Sequence, residues 1–268
     1  NPAGAPAVVL FGDCFTAYNE SGVGVAAGRV LAALGYRVIV LDAGCCGRSM
    51  LSVGMVGEAA AKADAALERL LPLVDDAGVK GVLFLEPSCL SAVKDDWLAL
   101  KCRTGVEARR RVAGKSMLAE DFVDRAWAEH PRAADAEAKA AASRSRASDG
   151  PEVLVHAHCH QKALWGAETS ARGLRRFFGD RVRVLETGCC GMAGSFGYAR
   201  EKYELSMRIA RLPAEQGGLM PQVEARPGAV VAATGTSCRH QVSDASGGVR
   251  GAEHPMVLIA RGMGVEQG

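Results

Sequence analysis

Eight of the nine cysteines in this 268-residue chain fall into two copies of one pattern. Each copy has a single cysteine, then a Cys-Cys-Gly sequence, then another single cysteine, and the first interval is nearly equal in the two copies. The first copy comprises Cys14, Cys45, Cys46 and Cys89, and the second comprises Cys159, Cys189, Cys190 and Cys238. Such repetition indicates duplication of a folded unit. Four thiols in one layout, present twice, are what ligation of a metal ion or cluster requires.

Three kinds of chemistry remain open for these thiols. Thiolates select zinc, iron–sulfur clusters or Cu(I), and four of them match the ligand count of a [4Fe–4S] cluster. Structural zinc sites usually take two ligands from a tight C-x₂₋₄-C knuckle, and the chain has no Cys-x-x-Cys. Zinc is therefore the weaker alternative. The third is a thiol–disulfide redox enzyme, which needs a metal-free thiolate of low pKa.

A few residues near the second copy have chemistry of their own. His158 and His160 flank Cys159, and we expect them to be additional ligands, donors to cluster sulfur, or simple loop hydrogen-bonding groups. Ser195 follows the second pair in a glycine-rich turn, where it could donate to a cluster or cap a helix. Cys102, outside both copies, is interpreted as a small buried residue or a spare thiol.

Composition sets the frame for these sites. The length suits two domains, and 49% hydrophobic residues suffice for packed cores. A net charge of +2 does not indicate nucleic-acid binding, and no apolar run approaches the ~20 residues of a transmembrane helix. A long, Ala-, Val- and Leu-rich chain with repeated cysteines favours a reducing cytoplasm over a disulfide framework. Because the chain starts with Asn1, we expect a fragment or a processed product.

Apolar runs of strand length alternate with helical segments in both halves. The predicted strands are residues 7–11, 37–41, 81–85, 153–156, 181–185 and 230–234. The predicted helices are residues 21–34, 57–73, 169–178 and 199–212. This order predicts the α/β class, with two pseudo-symmetric Rossmann-like βαβαβ halves and parallel sheets. Each repeated cysteine follows a strand, so the thiols of one half should meet at the C-terminal edge, where open α/β sheets bind ligands.

Glycines flank both Cys-Cys pairs. Gly44 and Gly47 enclose the first pair, and Gly188 and Gly191 enclose the second. Glycine lets the backbone turn sharply and approach a ligand closely. The pairs are therefore predicted to lie in tight loops.

The pattern also divides the chain. Residues 1–94 are predicted as the first repeat, residues 95–150 as a helical insert and residues 151–268 as the second repeat. The end of the insert, residues 133–148, is rich in Ala, Arg and Ser, and we expect it to be a partly ordered linker or hairpin.

The two Cys…Cys-Cys-Gly…Cys repeats resemble the cysteine-rich CCG domains of heterodisulfide reductase. Such domains also occur in the iron–sulfur subunits of glycolate, lactate and anaerobic glycerol-3-phosphate oxidation systems. The segments 156–162 (His-Ala-His-Cys-His-Gln-Lys), 188–197 and 235–239 are similar to the C-terminal part of FAD-linked D-2-hydroxyacid dehydrogenases of the D-2-hydroxyglutarate and D-lactate types. The resemblance covers almost the whole chain apart from the insert.

In that family, an N-terminal flavin domain oxidises the hydroxy acid, and ferredoxin-like clusters accept the electrons. This chain has neither a flavin domain nor a C-x₂-C-x₂-C-x₃-C-P motif. The resemblance therefore implies an electron-transfer module with no catalytic residues of its own. One or two [4Fe–4S] clusters would be held by the eight cysteines, and FAD would belong to the parent protein only.

The resemblance also implies partners and alternatives. The partners are the flavin and ferredoxin-like domains of the parent chain and an electron acceptor, either a quinone or a carrier protein. The location is the cytoplasm, with peripheral attachment to the inner membrane face left open. The alternatives are a zinc-stabilised docking module and a thiol–disulfide reductase of the heterodisulfide type. The sequence leaves open which hydroxy acid the parent oxidises.

One departure from the family pattern concerns the last cysteine of each copy. In heterodisulfide reductase the pattern closes with C-x-x-C and supplies five cysteines, whereas here Glu86 and Gly235 occupy the earlier positions. Each half is one cysteine short. This favours a four-thiolate site or a site completed by another ligand, for which Glu86 is a candidate in the first half, while Gly235 has no side chain.

Overall fold

A computed structural model describes residues 4–146 and 150–266 of the chain. Two compact units are present: one comprises Asn1–Glu137 and Val265–Gly268, and the other comprises Ala138–Gly264. Each unit is built around its own four-stranded sheet.

The first unit alternates strands and helices. Its strands are β1 (Ala7–Phe11), β2 (Arg37–Leu41), β3 (Val79–Phe84) and β4 (Ser116–Leu118). Its helices are α1 (Cys14–Tyr18), α2 (Ser21–Ala33), α3 (Arg48–Ser52), α4 (Val56–Val74), α5 (Pro87–Ser91), α6 (Trp97–Ala99), α7 (Val106–Lys115) and α8 (Ala119–Arg125). A π-helical turn, Ala92–Asp96, joins α5 to α6. Helix α9 (Ala133–Arg146) starts in this unit and ends in the next.

The second unit repeats the alternation. Its strands are β5 (Val153–His156), β6 (Val182–Val184), β7 (Val230–Ala233) and β8 (Ala252–Glu253). Its helices are α10 (Cys159–Trp165), α11 (Glu168–Phe178), α12 (Tyr203–Ala210), α13 (Leu219–Glu224), α14 (Thr236–Ala245) and α15 (Pro255–Met263). Short 3₁₀ turns, Phe196–Tyr198 and Arg200–Lys202, precede α12.

The two sheets have the same topology. The strand orders are β2-β1-β3-β4 and β6-β5-β7-β8, and every pairing is parallel. All residues of the central strands β1 and β5 are buried, as expected for parallel strands that are covered by helices on both faces. The predicted α/β class is therefore confirmed.

Two edge strands were not predicted from the sequence. The predicted three strands per half become four, because the edge strands β4 and β8 add to the sheets. Both are short and begin without an apolar run, so they leave little periodic signal in the sequence. β4 lies within the region predicted as a helical insert. Residues up to Glu137 also belong to the first unit.

The end of the predicted insert is ordered. The expectation of a partly ordered linker or hairpin at 133–148 was wrong for the described part, because Ala133–Arg146 form helix α9. Ala136 and Ala140 lie one turn apart and are 1% and 0% exposed, so a narrow face of the helix is packed. Alanine has the highest helix propensity, which further favours this structure. The remaining predicted residues, 147 and 148, lie outside the described residues.

Within the described ranges, no helix combines the length and the hydropathy that crossing a bilayer requires.

Candidate metal centres

All four cysteines of each half lie just beyond the ends of three adjacent strands. Cys14 starts α1 after β1, the pair Cys45 and Cys46 follows β2, and Cys89 lies in α5 after β3. The second half has the same placement: Cys159 starts α10, Cys189 and Cys190 follow β6, and Cys238 lies in the first turn of α14. Since the strands are parallel, these ends share one edge of each sheet.

The first site is a chain of neighbouring thiols. The Cys46 Sγ donates to the Cys89 Sγ at 3.1 Å, and Cys45 hydrogen-bonds to both Cys14 and Cys46. Cys46 and Cys89 are each 3% exposed, whereas Cys14 is exposed and Cys45 is half-buried. All four thiols are free. The site therefore has an inner, buried pair and an outer pair that reaches the surface.

Two buried carboxylates stand beside the first site. Asp13 and Glu86 are 1% and 4% exposed, and each caps the helix that carries a cysteine. The Glu86 Oε1 accepts from the Ser88 N and Oγ atoms at 3.1 and 2.8 Å. The Asp13 carboxylate accepts from the Thr16 N and Oγ1 atoms at 2.9 and 2.6 Å.

Every thiol of the first site is held in its protonated form. The hydrogen bond from Cys46 lowers the pKa of Cys89, but burial and the charges of Asp13 and Glu86 outweigh it and place that pKa at about 11. Burial raises the pKa of Cys14, and hydrogen bonding to Cys46 raises that of Cys45. The Cys46 pKa is also raised, because burial and Cys89 outweigh the hydrogen bond from Cys45. Without metal, the four thiols of this site stay protonated.

The second site has the same thiol order with the same gradient of burial. Cys159 hydrogen-bonds to Cys189, Cys189 to Cys190, and Cys190 to Cys238. Cys190 and Cys238 are 3% and 1% exposed, and the outer two thiols are half-buried. The eight cysteines predicted as ligands are thus brought together as two groups of four.

The second site is lined by nitrogen instead of carboxylate. Hydrogen bonds from Cys159 and Cys190 lower the pKa of Cys189. Cys190 likewise lowers the pKa of Cys238, and the nearby imidazoles of His156 and His158 add to that effect. The Lys162 ammonium lies near the thiols as well, and its Nζ donates to the Gly188 carbonyl at 2.6 Å. The pKa of Cys159 and Cys190 is instead raised, by their hydrogen bonds to the other thiols of the site and by burial. The second site therefore favours Cys189 and Cys238 as thiolates, which are the form that binds metal.

The loops of the two Cys-Cys pairs share one local structure. Gly47 and Gly191, which follow the pairs, have φ of 84° and 96°, in the left-handed region that favours glycine. Their amides turn back toward the preceding thiols: the Gly47 N donates to the Cys45 Sγ at 3.4 Å, and the Gly191 N donates to the Cys189 Sγ at 3.3 Å. A Cβ on Gly191 would lie 2.3 Å from the Ser206 carbonyl oxygen. The predicted tight loops are present.

The other predicted residues lie at varying depth. His158 is 5% exposed, caps α10 through its Nδ1, and lies 3.9 Å from the Cys159 Sγ. The ring of half-buried His160 packs edge-on against His158 at 5.2 Å. Ser195 is exposed at the start of a 3₁₀ turn and makes no capping hydrogen bond. Cys102 contacts the Ala60 carbonyl of α4, in neither group.

Sequence reasoning overlooked His156. One ring nitrogen of His156 and the Sγ atoms of Cys190 and Cys238 lie within 4.8 Å of one another. His156 ends strand β5 and is 1% exposed. The available signal was its position, two residues before His158 at the end of a buried strand, where a polar residue is rare without a role.

These donor sets fit a soft metal or an iron–sulfur cluster. Four Sγ atoms converge in each half, and the second half adds the buried His156 Nε2, which has no well-formed hydrogen bond to an oxygen or nitrogen atom of the described residues. Thiolate and imidazole are the ligands that such centres take. The thiols also lie at the sheet edge where α/β folds bind ligands.

Comparison with known proteins agrees with this site. Residues 8–94 match the CCG family model, described as a cysteine-rich domain. A subunit of the anaerobic glycerol-3-phosphate dehydrogenase of Escherichia coli K12 is 27% identical over 259 residues, which cover 96% of this chain. The chain spans 59% of the length of that relative.

A second type of relative matches a shorter part. D-2-hydroxyglutarate dehydrogenases of Pantoea ananatis and Escherichia coli K12 are each 32% identical, over 113 and 111 residues. These cover 42% and 41% of this chain, and 10% of each relative. The predicted resemblance to CCG domains and to these dehydrogenases is thereby confirmed. The chain contains a cysteine-rich CCG domain and is homologous to this anaerobic glycerol-3-phosphate dehydrogenase subunit and to D-2-hydroxyglutarate dehydrogenases.

Proposed function

We propose that this chain is the iron–sulfur electron-transfer module of a flavin-linked D-2-hydroxyacid dehydrogenase, with one cluster in each half. The observation that carries the proposal is the convergence of four thiols at the same sheet edge in both units. Both types of relative are named as dehydrogenases or dehydrogenase subunits, which supports a role in oxidation.

The cysteines of each half would bind one cluster. The first site would use Cys14, Cys45, Cys46 and Cys89, and the second would take its thiolate ligands from Cys159, Cys189, Cys190 and Cys238. A [4Fe–4S] cluster, when bound, supplies one-electron transfer. The inner cysteines are buried, and the amides of Gly47 and Gly191 donate hydrogen bonds to the sulfur atoms of Cys45 and Cys189. Such hydrogen bonds raise a reduction potential.

The outer cysteines give each site an approach from solvent. Cys14 is exposed, and Cys45, Cys159 and Cys189 are half-buried. A partner that gives or takes electrons can therefore come close to either site. The electrons would come from the flavin and ferredoxin-like domains of the parent protein and leave to a quinone or a carrier protein in the cytoplasm or at the inner membrane face.

Zinc binding and direct thiol–disulfide chemistry are the alternatives, and metal and sulfide analysis distinguishes both from an iron–sulfur cluster. Zinc would suit the group of His156, Cys190 and Cys238, since zinc accepts mixed Cys and His ligands. Direct thiol–disulfide chemistry would use the low-pKa thiol of Cys189.

The test is metal and sulfide analysis of the anaerobically purified chain, with EPR before and after dithionite. We expect iron with matching acid-labile sulfide and a signal that appears on reduction. Zinc without sulfide would replace the proposal with a docking module. Anaerobic reconstitution with iron and sulfide that yields no cluster would exclude the proposal and leave thiol chemistry.

A further inference from the structure

His156 has a buried imidazole beside the second site. Its side chain is buried at the end of β5, 1% exposed, and its Nδ1 lies 2.7 Å from the Thr187 Oγ1. Its Nε2 is buried and has no well-formed hydrogen bond to an oxygen or nitrogen atom of the described residues, and the group with which the imidazole interacts is the Cys238 thiol. A thiol is a weak hydrogen-bond partner for a buried polar atom, so this nitrogen needs an explanation.

This nitrogen lies among thiols. A ring nitrogen of His156 and the Sγ atoms of Cys190 and Cys238 form a group within 4.8 Å. Since Nδ1 is engaged by Thr187, Nε2 is the nitrogen left for this group. A histidine that binds metal through one nitrogen characteristically donates its other N–H to a neighbouring oxygen, which fixes the ring and its tautomer. The Thr187 hydroxyl is placed for that role.

The first half lacks this feature at the equivalent position. Phe11 ends β1 as His156 ends β5, each three residues before the first cysteine of its copy. The Phe11 ring is buried and stacks on Phe84 at 4.6 Å. The duplicated scaffold therefore accepts a hydrophobic side chain here, and it does not itself require an imidazole.

The second half also lacks a side chain where the first has Glu86. Gly235 is the equivalent residue, and a Cβ added to it would lie 2.4 Å from the His158 Cδ2. The His158 ring thus fills the space that a side chain at position 235 would need. The non-cysteine donor beside the inner thiols of the second site comes from another strand end: His156, at the end of β5, brings a buried ring nitrogen there.

We propose that the His156 Nε2 is a direct ligand of the metal centre in the second site, together with Cys190, Cys238 and one of the two outer cysteines, Cys159 or Cys189. The first site is held by its four cysteines without histidine. This inference rests on the proposed function, because it assumes that the second site holds an iron–sulfur cluster. The two duplicated sites then differ in ligand set, and the imidazole ligand makes the second cluster the more easily reduced.

The most direct test leaves His156 in place. The intact chain is prepared anaerobically with ¹⁵N-histidine, reduced with dithionite and measured by pulsed EPR beside the unlabelled chain. The Cys46→Ser variant is measured in the same way, to isolate the second site. We expect the strong nitrogen hyperfine coupling of a directly bound imidazole. Its signals should change from those of ¹⁴N in the unlabelled chain to those of ¹⁵N in the labelled chain. Only weak coupling, typical of an N–H···S hydrogen bond, would overturn the proposal.

Variants give an independent readout. His156→Phe copies the first half, His156→Cys offers a replacement ligand, and His240→Gln is the control, because His240, on α14, hydrogen-bonds to Tyr198 outside the thiol groups. We expect His156→Phe to lose the iron and EPR signal of the second site, His156→Cys to retain iron with an altered spectrum, and His240→Gln to match the parent chain.

The outcomes separate this inference from the proposed function. Full second-site iron and an unchanged spectrum in His156→Phe overturn the ligand assignment and leave the electron-transfer module intact. A cluster confined to the first site would likewise overturn the ligand assignment of His156 and leave the electron-transfer module intact. If the chain binds no iron–sulfur cluster even after reconstitution, the proposed function itself is contradicted. If His156→Phe does not fold, the isotope experiment still decides.

Discussion

The two halves of the chain share a backbone and four thiols but line them with opposite chemistry. Each half places its cysteines after the same three strands of a sheet with the same topology. Beside them, the first half has the buried carboxylates Asp13 and Glu86, and the second has the buried imidazoles His156 and His158 with the Lys162 ammonium nearby. The fold thus fixes the positions of the cysteines, and the side chains beside each site set the pKa of its thiols.

The contrast is clearest at one pair of equivalent residues. Asp13 and His158 each precede the first cysteine and accept a hydrogen bond from a backbone amide of the following helix. The same capping role is therefore filled by an anion in one half and an imidazole in the other. A carboxylate raises the pKa of nearby thiols and disfavours added electrons, whereas an imidazole stabilises thiolates.

The largest expected effect comes from removing one inner thiol from either half. In Cys46→Ser or Cys190→Ser we expect loss of the cluster of that half only, and lower stability of that unit, because metal binding free energy is also folding free energy. Iron and sulfide content and thermal unfolding measure the change. Cys102→Ser, outside both groups, is the control. Full iron in both inner variants would show that these thiols are not ligands.

A smaller contrast is expected in thiol reactivity of the metal-free chain. Cys45 and Cys189 are both half-buried and lead their pairs, but the Cys45 pKa is raised, chiefly by its hydrogen bond with Cys46, while the Cys189 pKa is lowered, chiefly by that with Cys159. Near pH 7 we expect iodoacetamide to alkylate Cys189 at least about tenfold faster.

The pH dependence has a definite sign. The Cys189 rate should stay nearly flat from about pH 6 to 9, because a low-pKa thiol is already ionised there. The Cys45 rate should rise by about tenfold per pH unit, since its pKa lies above that range. Peptide mapping by mass spectrometry follows each residue separately. Equal rates with the same slope would remove the predicted electrostatic difference between the halves.

Substitutions at the equivalent positions 86 and 235 should affect stability modestly and for different reasons. Glu86→Ala removes a helix cap and should lower the free energy of unfolding by about 1 kcal/mol. Gly235→Ala forces a Cβ to within 2.4 Å of the His158 ring and should cost about 1–3 kcal/mol through displacement of that ring.

Urea unfolding of the metal-free variants measures both costs. Ser52→Ala, at the exposed end of α3, serves as the reference substitution. A Gly235→Ala variant that is as stable as the parent would mean that the His158 ring moves freely, and its fixed position next to Cys159 would have to be abandoned.

The smallest expected change is at Thr187. Thr187→Val removes the hydroxyl that holds the His156 Nδ1 and keeps the shape of the side chain. We expect the cluster to remain, with broadened EPR lines from the second site and a lower reduction potential, because the imidazole ring is less firmly oriented. A spectrum and potential identical to the parent would show that Thr187 does not orient the ring.

The sequence predicted the parallel sheets and the convergence of the thiols because both follow from local signals. The buried central strands are continuous apolar runs, and each repeated cysteine follows a strand by a few residues. The edge strands β4 and β8 were missed because two or three residues carry no periodic pattern. Helix α9 was misinterpreted because its Ala-rich composition also suits a linker, and only packing of Ala136 and Ala140 decides.

The lining of the sites was the least predictable feature. His158 and His160 attracted attention because they flank Cys159, yet His156 brings its buried Nε2 to the inner thiols. His156 reaches the site because of the direction in which its side chain leaves the end of β5. Its ring is held by Thr187, which lies beyond the end of β6. Neither is readable from spacing along the chain.

The measurement that tests the account most directly is a potentiometric titration of the anaerobic chain followed by EPR. The account predicts two reversible one-electron waves, of which the one at higher potential belongs to the second half and disappears in Cys190→Ser. A chain reconstituted with iron and sulfide that shows no reducible signal would contradict the proposed electron-transfer role. A higher-potential wave that disappears in Cys46→Ser would contradict the assigned difference between the halves.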